Sequence, residues 1–236
     1  MNNFVVAVLV GLLPSKLKTL VLKMMGHEIG KNVYIGMSIL NVEKITLKDG
    51  VKIKSFNYLK SLTHLTMMEK SAIDGWLNWF TASKKHDYGQ EGFGCITIGE
   101  RTRILSRHYL DLQEQIRIGK NCLIAGSNSA FYTHTVVADP AHRQTNKPII
   151  IGDYCYIASH CIVLPGAGVG SFALVGAGSV ITKNFLDKNY VLIAGNPASV
   201  KKSYPKDAKF FTNNNNIKPS ELKPEKSEIS LNNSIH

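Results

Sequence analysis

The chain has 236 residues, of which 44% are hydrophobic, and a formal net charge of +11 at pH 7. This length allows one or two domains with a sizeable core. The charge suits an acidic partner, but the lysines are scattered and no nucleic-acid-binding motif accompanies them, so we expect a phosphate-rich small molecule and no nucleic acid. The four cysteines show neither CxxC nor zinc-ligand spacing, which predicts reduced thiols and a cytoplasmic protein: Cys95, Cys122, Cys155 and Cys161.

The first predicted element is an apolar run from Phe4 to Leu13, which Pro14 ends and a basic amphipathic segment follows. Ten residues are too few to cross a bilayer as a helix, and no signal-peptide cleavage site is visible. Two interpretations stay open. Residues 4–23 either cap the open end of the following domain, or they attach to a membrane surface with Lys16, Lys18 and Lys23 near anionic head groups.

Aliphatic residues then recur every six positions: Ile29, Ile35, Leu47, Ile53, Leu59 and Leu65. Only Asn41 breaks this series. The register is lost over residues 67–93, which we interpret as an inserted loop. Trp76 and Trp79 lie in it, where they could form a wall that stacks on a sugar ring or could only pack the loop against the domain. The register resumes at Ile98, Ile104 and Leu110 and again at Ile118 and Ile124, and a second insertion covers residues 132–148.

The most regular stretch runs from Ile151 to Lys183, with a β-branched residue at every sixth position: Ile151, Ile157, Val163, Val169, Val175 and Ile181. A period of six fits neither a helix nor an ordinary strand. It predicts short strands joined by tight turns, with three hexads in each triangular coil, so that Ile151 stacks under Val169. The predicted fold is therefore an all-β solenoid.

This pattern resembles the hexapeptide-repeat acyltransferases, which are left-handed parallel β-helices, and among them the sugar and polysaccharide O-acetyltransferases. The resemblance covers residues 29–200. It divides the chain into an N-terminal helical segment (residues 1–28), the β-helix with its two insertions (residues 29–200) and a C-terminal extension (residues 201–236), which is polar and expected to be largely disordered.

The resemblance implies transfer of an acetyl group from acetyl-CoA to a sugar hydroxyl in surface polysaccharide or glycoconjugate biosynthesis. The general base would be His134, because the family's histidine precedes a loop and a Pro-Ile-x-Ile-Gly element, here Pro148 to Gly152. Asp139, Glu114 or a backbone carbonyl could orient its ring. Candidate acceptor-binding residues are Trp76, Trp79, Arg107, His108 and Tyr132, and His142 and His160 are expected to be solvated.

The resemblance also implies a trimer with a coenzyme A groove between two subunits and no metal ion. Candidate groove residues are Ala158, Ser159, Gly176 and Ala177, followed by Asn196 and Pro197 in an Ala-Gly-Asn-Pro-Ala element, with Lys183, Lys201 and Lys202 for the phosphates. Three alternatives stay open: N-acylation of a nucleotide-linked amino sugar, a zinc-dependent carbonic anhydrase on the same kind of helix, and a non-catalytic scaffold.

Overall fold

The computed structural model describes residues 3–83, 92–136 and 144–212. The helices in these ranges are α1 (Asn3–Leu12), α2 (Ser15–Met24) and α3 (Lys209–Thr212). The strands before residue 120 are β1 (Glu28–Ile29), β2 (Tyr34–Ile35), β3 (Ile39–Leu47), β4 (Lys52–Ile53), β5 (Tyr58–Met67), β6 (Ala72–Ile73), β7 (Trp79–Thr81), β8 (Cys95–Ile98), β9 (Arg103–Ser106), β10 (Tyr109–Asp111) and β11 (Ile116–Ile118). The later strands are β12 (Leu123–Ser127), β13 (Ala130–Tyr132), β14 (His134–Val136), β15 (Gln144–Asn146), β16 (Ile149–Ile151), β17 (Tyr156–Ile157), β18 (Ile162–Val163), β19 (Gly168–Val169), β20 (Ala173–Val175), β21 (Val180–Ile181), β22 (Asn184–Phe185), β23 (Val191–Ala194) and β24 (Ser199–Ser203).

The strands form a solenoid of parallel coils with three sides. The first side holds β8, β11, β16, β19 and β22, the second β9, β12, β17, β20 and β23, and the third β7, β10, β13, β18 and β21. The predicted stacking is confirmed, because Ile151 pairs with Val169, Ile157 with Val175 and Val163 with Ile181. These aliphatic side chains point inward and are fully buried, which explains why the sequence repeats them. The predicted left-handed parallel β-helix is confirmed.

One predicted boundary is wrong. The coil does not end at Met67, because β6 and β7 continue it and pair with the coils on either side. The paired residues Ile53 and Ile73 are 20 apart and Leu59 and Phe80 are 21 apart, so this coil is longer than the 18 residues of three hexads. A fixed period of six therefore loses the register, and residues 84–91 of the predicted loop lie outside the described residues.

The N-terminal helices pack on the first coils. Leu22 of α2 joins the hydrophobic core, and Phe4 of α1 contacts the ring of Tyr58 edge-on at 6.4 Å. Lys18, which the sequence placed near head groups, is 1% exposed, and its ammonium donates to the backbone oxygens of Gly11 and Gly36. Burial lowers the pKa of Lys18 to about 8. Within the described residues, no helix is both long and apolar enough to cross a bilayer.

The described part of the C-terminal extension is folded. β24 crosses the predicted boundary at residue 200 and pairs antiparallel with β23. Phe211 of α3 is buried and lies edge-on to Phe172 and Tyr190, which belong to a stack of aromatic rings on successive coils. The rest of the predicted disordered tail, residues 213–236, lies outside the described residues.

Candidate functional site

The predicted base lies where the third side turns back to the first. In successive coils this turn is formed by residues 112–115, by residues 133–136 with 144–148, and by residues 164–167 and 182–183, and we call it the His134 corner. His134 begins β14, which pairs antiparallel with β15 to form a hairpin. At the base of the hairpin, the backbone NH of Lys147 donates to the oxygen of Thr133 at 2.8 Å. The hairpin thus fixes the backbone at His134.

His134 is paired with a carboxylate from the preceding coil. Its Nδ1 lies 2.5 Å from Oδ2 of Asp111, whose side chain is 4% exposed, whereas 38% of the His134 side chain is exposed. A carboxylate oxygen accepts, so Nδ1 carries the proton and donates it to Asp111. In this orientation, the neutral form of the imidazole has its unshared electron pair on Nε2, as a proton acceptor requires.

Thr133 holds Asp111 in place through hydrogen bonds. Its hydroxyl donates to the backbone oxygen of Asp111 at 2.8 Å and accepts from the backbone NH of Glu114 at 3.0 Å. Its own NH points to Oδ2 of Asp111 at 3.3 Å. Since Thr133 is fully buried, these bonds hold the carboxylate in one position beneath His134.

Asp111 was missed by the sequence analysis, which named Asp139 and Glu114 as orienting groups. Asp139 lies outside the described residues. Glu114 makes a different hydrogen bond, because its Oε1 accepts from the NH of Gln115 at 2.8 Å. The signal for Asp111 was its place directly after the in-register Leu110, since parallel pairing then sets Asp111 beside Tyr132, two residues before His134.

Two of the five predicted acceptor-binding residues lie on the outer face of the third side. The ring of Tyr132 is 5.7 Å from that of Tyr109, and Trp79 pairs with Tyr109 in the next coil, so all three belong to one face that leads to the His134 corner. The hydroxyl of Thr81 donates a hydrogen bond to the hydroxyl of Tyr109 at 3.3 Å. Aromatic side chains on one outer face can stack on the apolar face of a sugar.

The other three predicted acceptor-binding residues do not lie beside His134 within one chain, and for His108 the structure contradicts the prediction. Trp76, Arg107 and His108 belong to the opposite end of the third side, where the second side leads into it. Arg107 is exposed there with a φ of 59°, which is a turn position. His108 was expected to approach His134, but it is 1% exposed and its Nδ1 accepts from the NH of Ser129 at 3.2 Å.

His108 is a structural residue of the interior. Burial lowers its pKa to about 4, although the backbones of Ile124 and Ser129 act in the opposite direction. The ring is therefore neutral at physiological pH, and its Nε2 has no hydrogen-bond partner among the described residues. A neutral, enclosed ring cannot contact an acceptor that arrives from solvent.

Most of the predicted cofactor residues come together at one edge, which we call the Ser159 corner. It joins the second side to the third and contains residues 127–129, 158–161, 176–179 and 194–197 in successive coils. The backbone NH of Gly178 donates to the oxygen of Ser159 at 3.0 Å, which stacks two of these turns directly. Ala158, Ser159, Gly176, Ala177, Asn196 and Pro197 therefore form one continuous stripe. A Cβ placed on Gly176 would be 3.0 Å from that of Ala194, so the stripe admits little beyond small residues.

The lysines predicted for the phosphates do not lie together, and Lys202, on β24, has its Nζ 5.2 Å from the centre of the Tyr204 ring. Lys201 approaches the Ser159 corner, since its Nζ would be 3.6 Å from a Cβ placed on Gly195. Lys183 belongs to the His134 corner, where its ammonium lies 5.4 Å from the centre of the Phe185 ring. Of the other histidines, His160 is exposed at the Ser159 corner with Nε2 3.3 Å from Nδ2 of Asn128, and His142 lies outside the described residues.

Part of the chain is similar in sequence to known proteins. No protein-family model matches it. Galactoside O-acetyltransferase of Escherichia coli (strain K12) is 35% identical over 92 residues, which are 36% of this chain and 42% of that protein. A Dictyostelium discoideum protein provisionally named an acetyltransferase is 43% identical over 94 residues, 38% of this chain and 48% of that protein. The match thus spans less than half the length of either relative.

A solved structure extends the likeness of the fold beyond these segments. The crystal structure of the polySia-specific acetyltransferase NeuO superposes with a TM-score of 0.54 over 78% of this chain and 86% of that chain, at 20% sequence identity. At this level of identity the likeness concerns the fold.

Proposed function

We propose that this chain, which resembles the hexapeptide-repeat acetyltransferases in sequence and in fold, transfers an acetyl group from acetyl-CoA to a hydroxyl of a sugar. The acceptor would belong to surface polysaccharide or glycoconjugate biosynthesis. The observation that carries the proposal is the pair of His134 and Asp111. A half-exposed imidazole whose Nδ1 proton is held by a buried carboxylate is built to accept a proton at Nε2.

The proposed reaction needs only positioning and one proton transfer. Nε2 of His134 takes the proton of the acceptor hydroxyl, and the Asp111 carboxylate stabilises the imidazolium that forms. The hydroxyl oxygen attacks the thioester carbonyl, and the resulting tetrahedral intermediate expels the thiolate of coenzyme A. The imidazolium then returns its proton to that thiolate, which regenerates neutral His134 and leaves the acetyl ester.

The surroundings of His134 support a carbohydrate acceptor. Tyr132 directly precedes Thr133 in the chain and, with Tyr109 and Trp79, supplies flat, partly exposed rings on the face that borders the base. Such rings can stack on a pyranose while their polar atoms bond to its hydroxyls. These aromatic rings therefore favour a sugar as the acceptor over a compact aliphatic alcohol.

The positions of the two corners support a site shared between subunits of the trimer that the resemblance implies. In one chain the whole third side separates the His134 corner from the stripe at the Ser159 corner. If coenzyme A lies along that stripe, its thioester reaches a His134 only when another chain supplies one of the two corners. We therefore propose that each site forms between neighbouring subunits, with Lys201 beside the phosphates.

The test is replacement of His134 by alanine. We expect the fold to be retained and turnover to fall by about 10² to 10⁴, which is the usual contribution of a general base. The matched control is His64→Ala, since His64 is also exposed but lies on β5, outside the residues of both corners. Turnover would be measured with labelled acetyl-CoA and with hydroxyl and amino sugars as acceptors. Unchanged turnover in His134→Ala contradicts the assigned base, and acetylation of amino sugars alone contradicts the assigned acceptor.

A further inference from the structure

Helix α1 is apolar on two opposite faces, and only one of them is covered. On the inner face, a Cβ placed on Gly11 would lie 2.8 Å from the backbone oxygen of Ser38, so this face packs against the coil through small residues. On the outer face, Val5, Leu9 and Leu12 are spaced at helical intervals, and Leu9 and Leu12 are 61% and 65% exposed. A helix that is apolar all round is normally enclosed. The outer face of α1 therefore lacks its partner in the isolated chain.

Helix α2 also exposes apolar side chains, and it adds positive charge. Leu17, Leu20 and Met24 are exposed on its outer face, while Leu22 and Lys18 point inward. Lys16 and Lys23 are also exposed, so the apolar residues of α2 have ammonium groups beside them. The chain has no Asp or Glu between residues 3 and 27, so no carboxylate of this segment neutralises these lysines.

We propose that these two helices bind the surface of an anionic lipid bilayer. The contact is the N-terminal apolar surface, defined by Val5, Leu9, Leu12, Leu17, Leu20 and Met24, which enters the boundary between head groups and acyl chains. Lys16 and Lys23 then lie among the lipid phosphates. With ten residues, α1 is about 15 Å long, half of the roughly 30 Å hydrocarbon core, so it lies in the interface and does not span it.

Charge favours a bilayer over a second copy of the chain. In a two-fold contact between copies, this surface would meet itself, and Lys16 and Lys23 would approach the same lysines of the other chain. No carboxylate lies within the segment to compensate them. An anionic bilayer offers an apolar layer and a negative layer at the same time, which matches both features of the surface.

Vesicle sedimentation of the full chain tests the proposal. Wild type should bind vesicles of phosphatidylcholine and phosphatidylglycerol in equal parts, and bind pure phosphatidylcholine more weakly. Leu9→Ser/Leu12→Ser should lose about tenfold or more in partitioning. The control Leu77→Ser replaces a similarly exposed leucine near the Ser159 corner and should bind like wild type. Lys16→Gln/Lys23→Gln should bind both kinds of vesicle equally.

Each of three results would overturn the proposal that α1 and α2 bind an anionic bilayer. Failure of wild type to bind anionic vesicles, or equal binding by Leu9→Ser/Leu12→Ser, overturns the proposal. If Leu9→Ser/Leu12→Ser instead changes the mass of the lipid-free particle in analytical ultracentrifugation, the surface is an interface between copies and the proposal is wrong. Acetyl transfer to a soluble acceptor should be unaffected by the substitutions in α1 and α2, so this result is separate from the test of His134.

Discussion

Replacing Asp111 by asparagine separates the charge beneath His134 from its geometry. The side chain keeps its size, and an amide oxygen in the place of Oδ2 can still accept from His134 Nδ1 and from the NH of Thr133, now at 2.5 and 3.3 Å. Only the negative charge that stabilises the imidazolium is removed. A hydrogen bond to a charged group contributes a net 1.5–3 kcal/mol, so kcat should fall by roughly 10- to 150-fold.

Steady-state kinetics with acetyl-CoA and a sugar acceptor measure this effect. The loss should appear in kcat with little change in the KM for acetyl-CoA, because Asp111 contacts His134 and not the predicted groove. The control Glu114→Gln removes a neighbouring carboxylate that bonds to the backbone of Gln115 and should keep its kcat. In the double variant Asp111→Asn/His134→Ala, the loss should not exceed that of His134→Ala alone. Full kcat in Asp111→Asn, or additive losses, would refute the proposed pair.

Two further predictions concern assembly and stability. Co-expression of His134→Ala with Ala177→Trp, each inactive alone, should restore about a quarter of wild-type turnover, because one in four sites of randomly mixed trimers then pairs an intact His134 with an intact groove. No recovery would contradict a site between subunits. The buried Lys18 binds its proton more weakly when folded, with a pKa of about 8 against 10.5. Since the unfolded chain then holds more protons, the free energy of unfolding should rise by up to about 3 kcal/mol between pH 8 and 10.5, relative to Lys18→Met. Urea unfolding at several pH values measures this difference. If the free energies of both proteins change with pH in parallel, the prediction is wrong.

The fold could be predicted from the sequence where its geometry repeats. Each side of a triangular coil admits one inward aliphatic side chain, so six residues separate Ile151 from Ile157, and the third hexad brings Val169 over Ile151. The prediction failed after Ile53, because the residue stacked on it, Ile73, follows 20 residues later and not 18. The coil from Ile53 to Ile73 is then longer, and a fixed spacing cannot reveal it.

The site could be predicted only in part. His134 was visible because the period breaks immediately after it, at the hairpin. Asp111 stands 23 residues earlier, and only the pairing of Asp111 with Tyr132 shows that the two meet. Conversely, His108 resembled a site residue because it lies about one coil before His134. Its burial was hidden, since whether a turn residue points inward depends on the local backbone and not on the period.

The regularity of the solenoid also limits what a single chain can do. The period holds each outer feature on its own edge, so the stripe at the Ser159 corner stays one full side away from His134 however many coils are added. To bring the stripe and His134 together within one chain, the hydrogen bond that stacks Gly178 on Ser159 in the next coil would have to break. Assembly achieves the same without such a break, because a neighbour can set its Ser159 corner against the aromatic face beside His134. In the proposed trimer, the partly exposed Ile162 of the third side would lie in the contact between subunits.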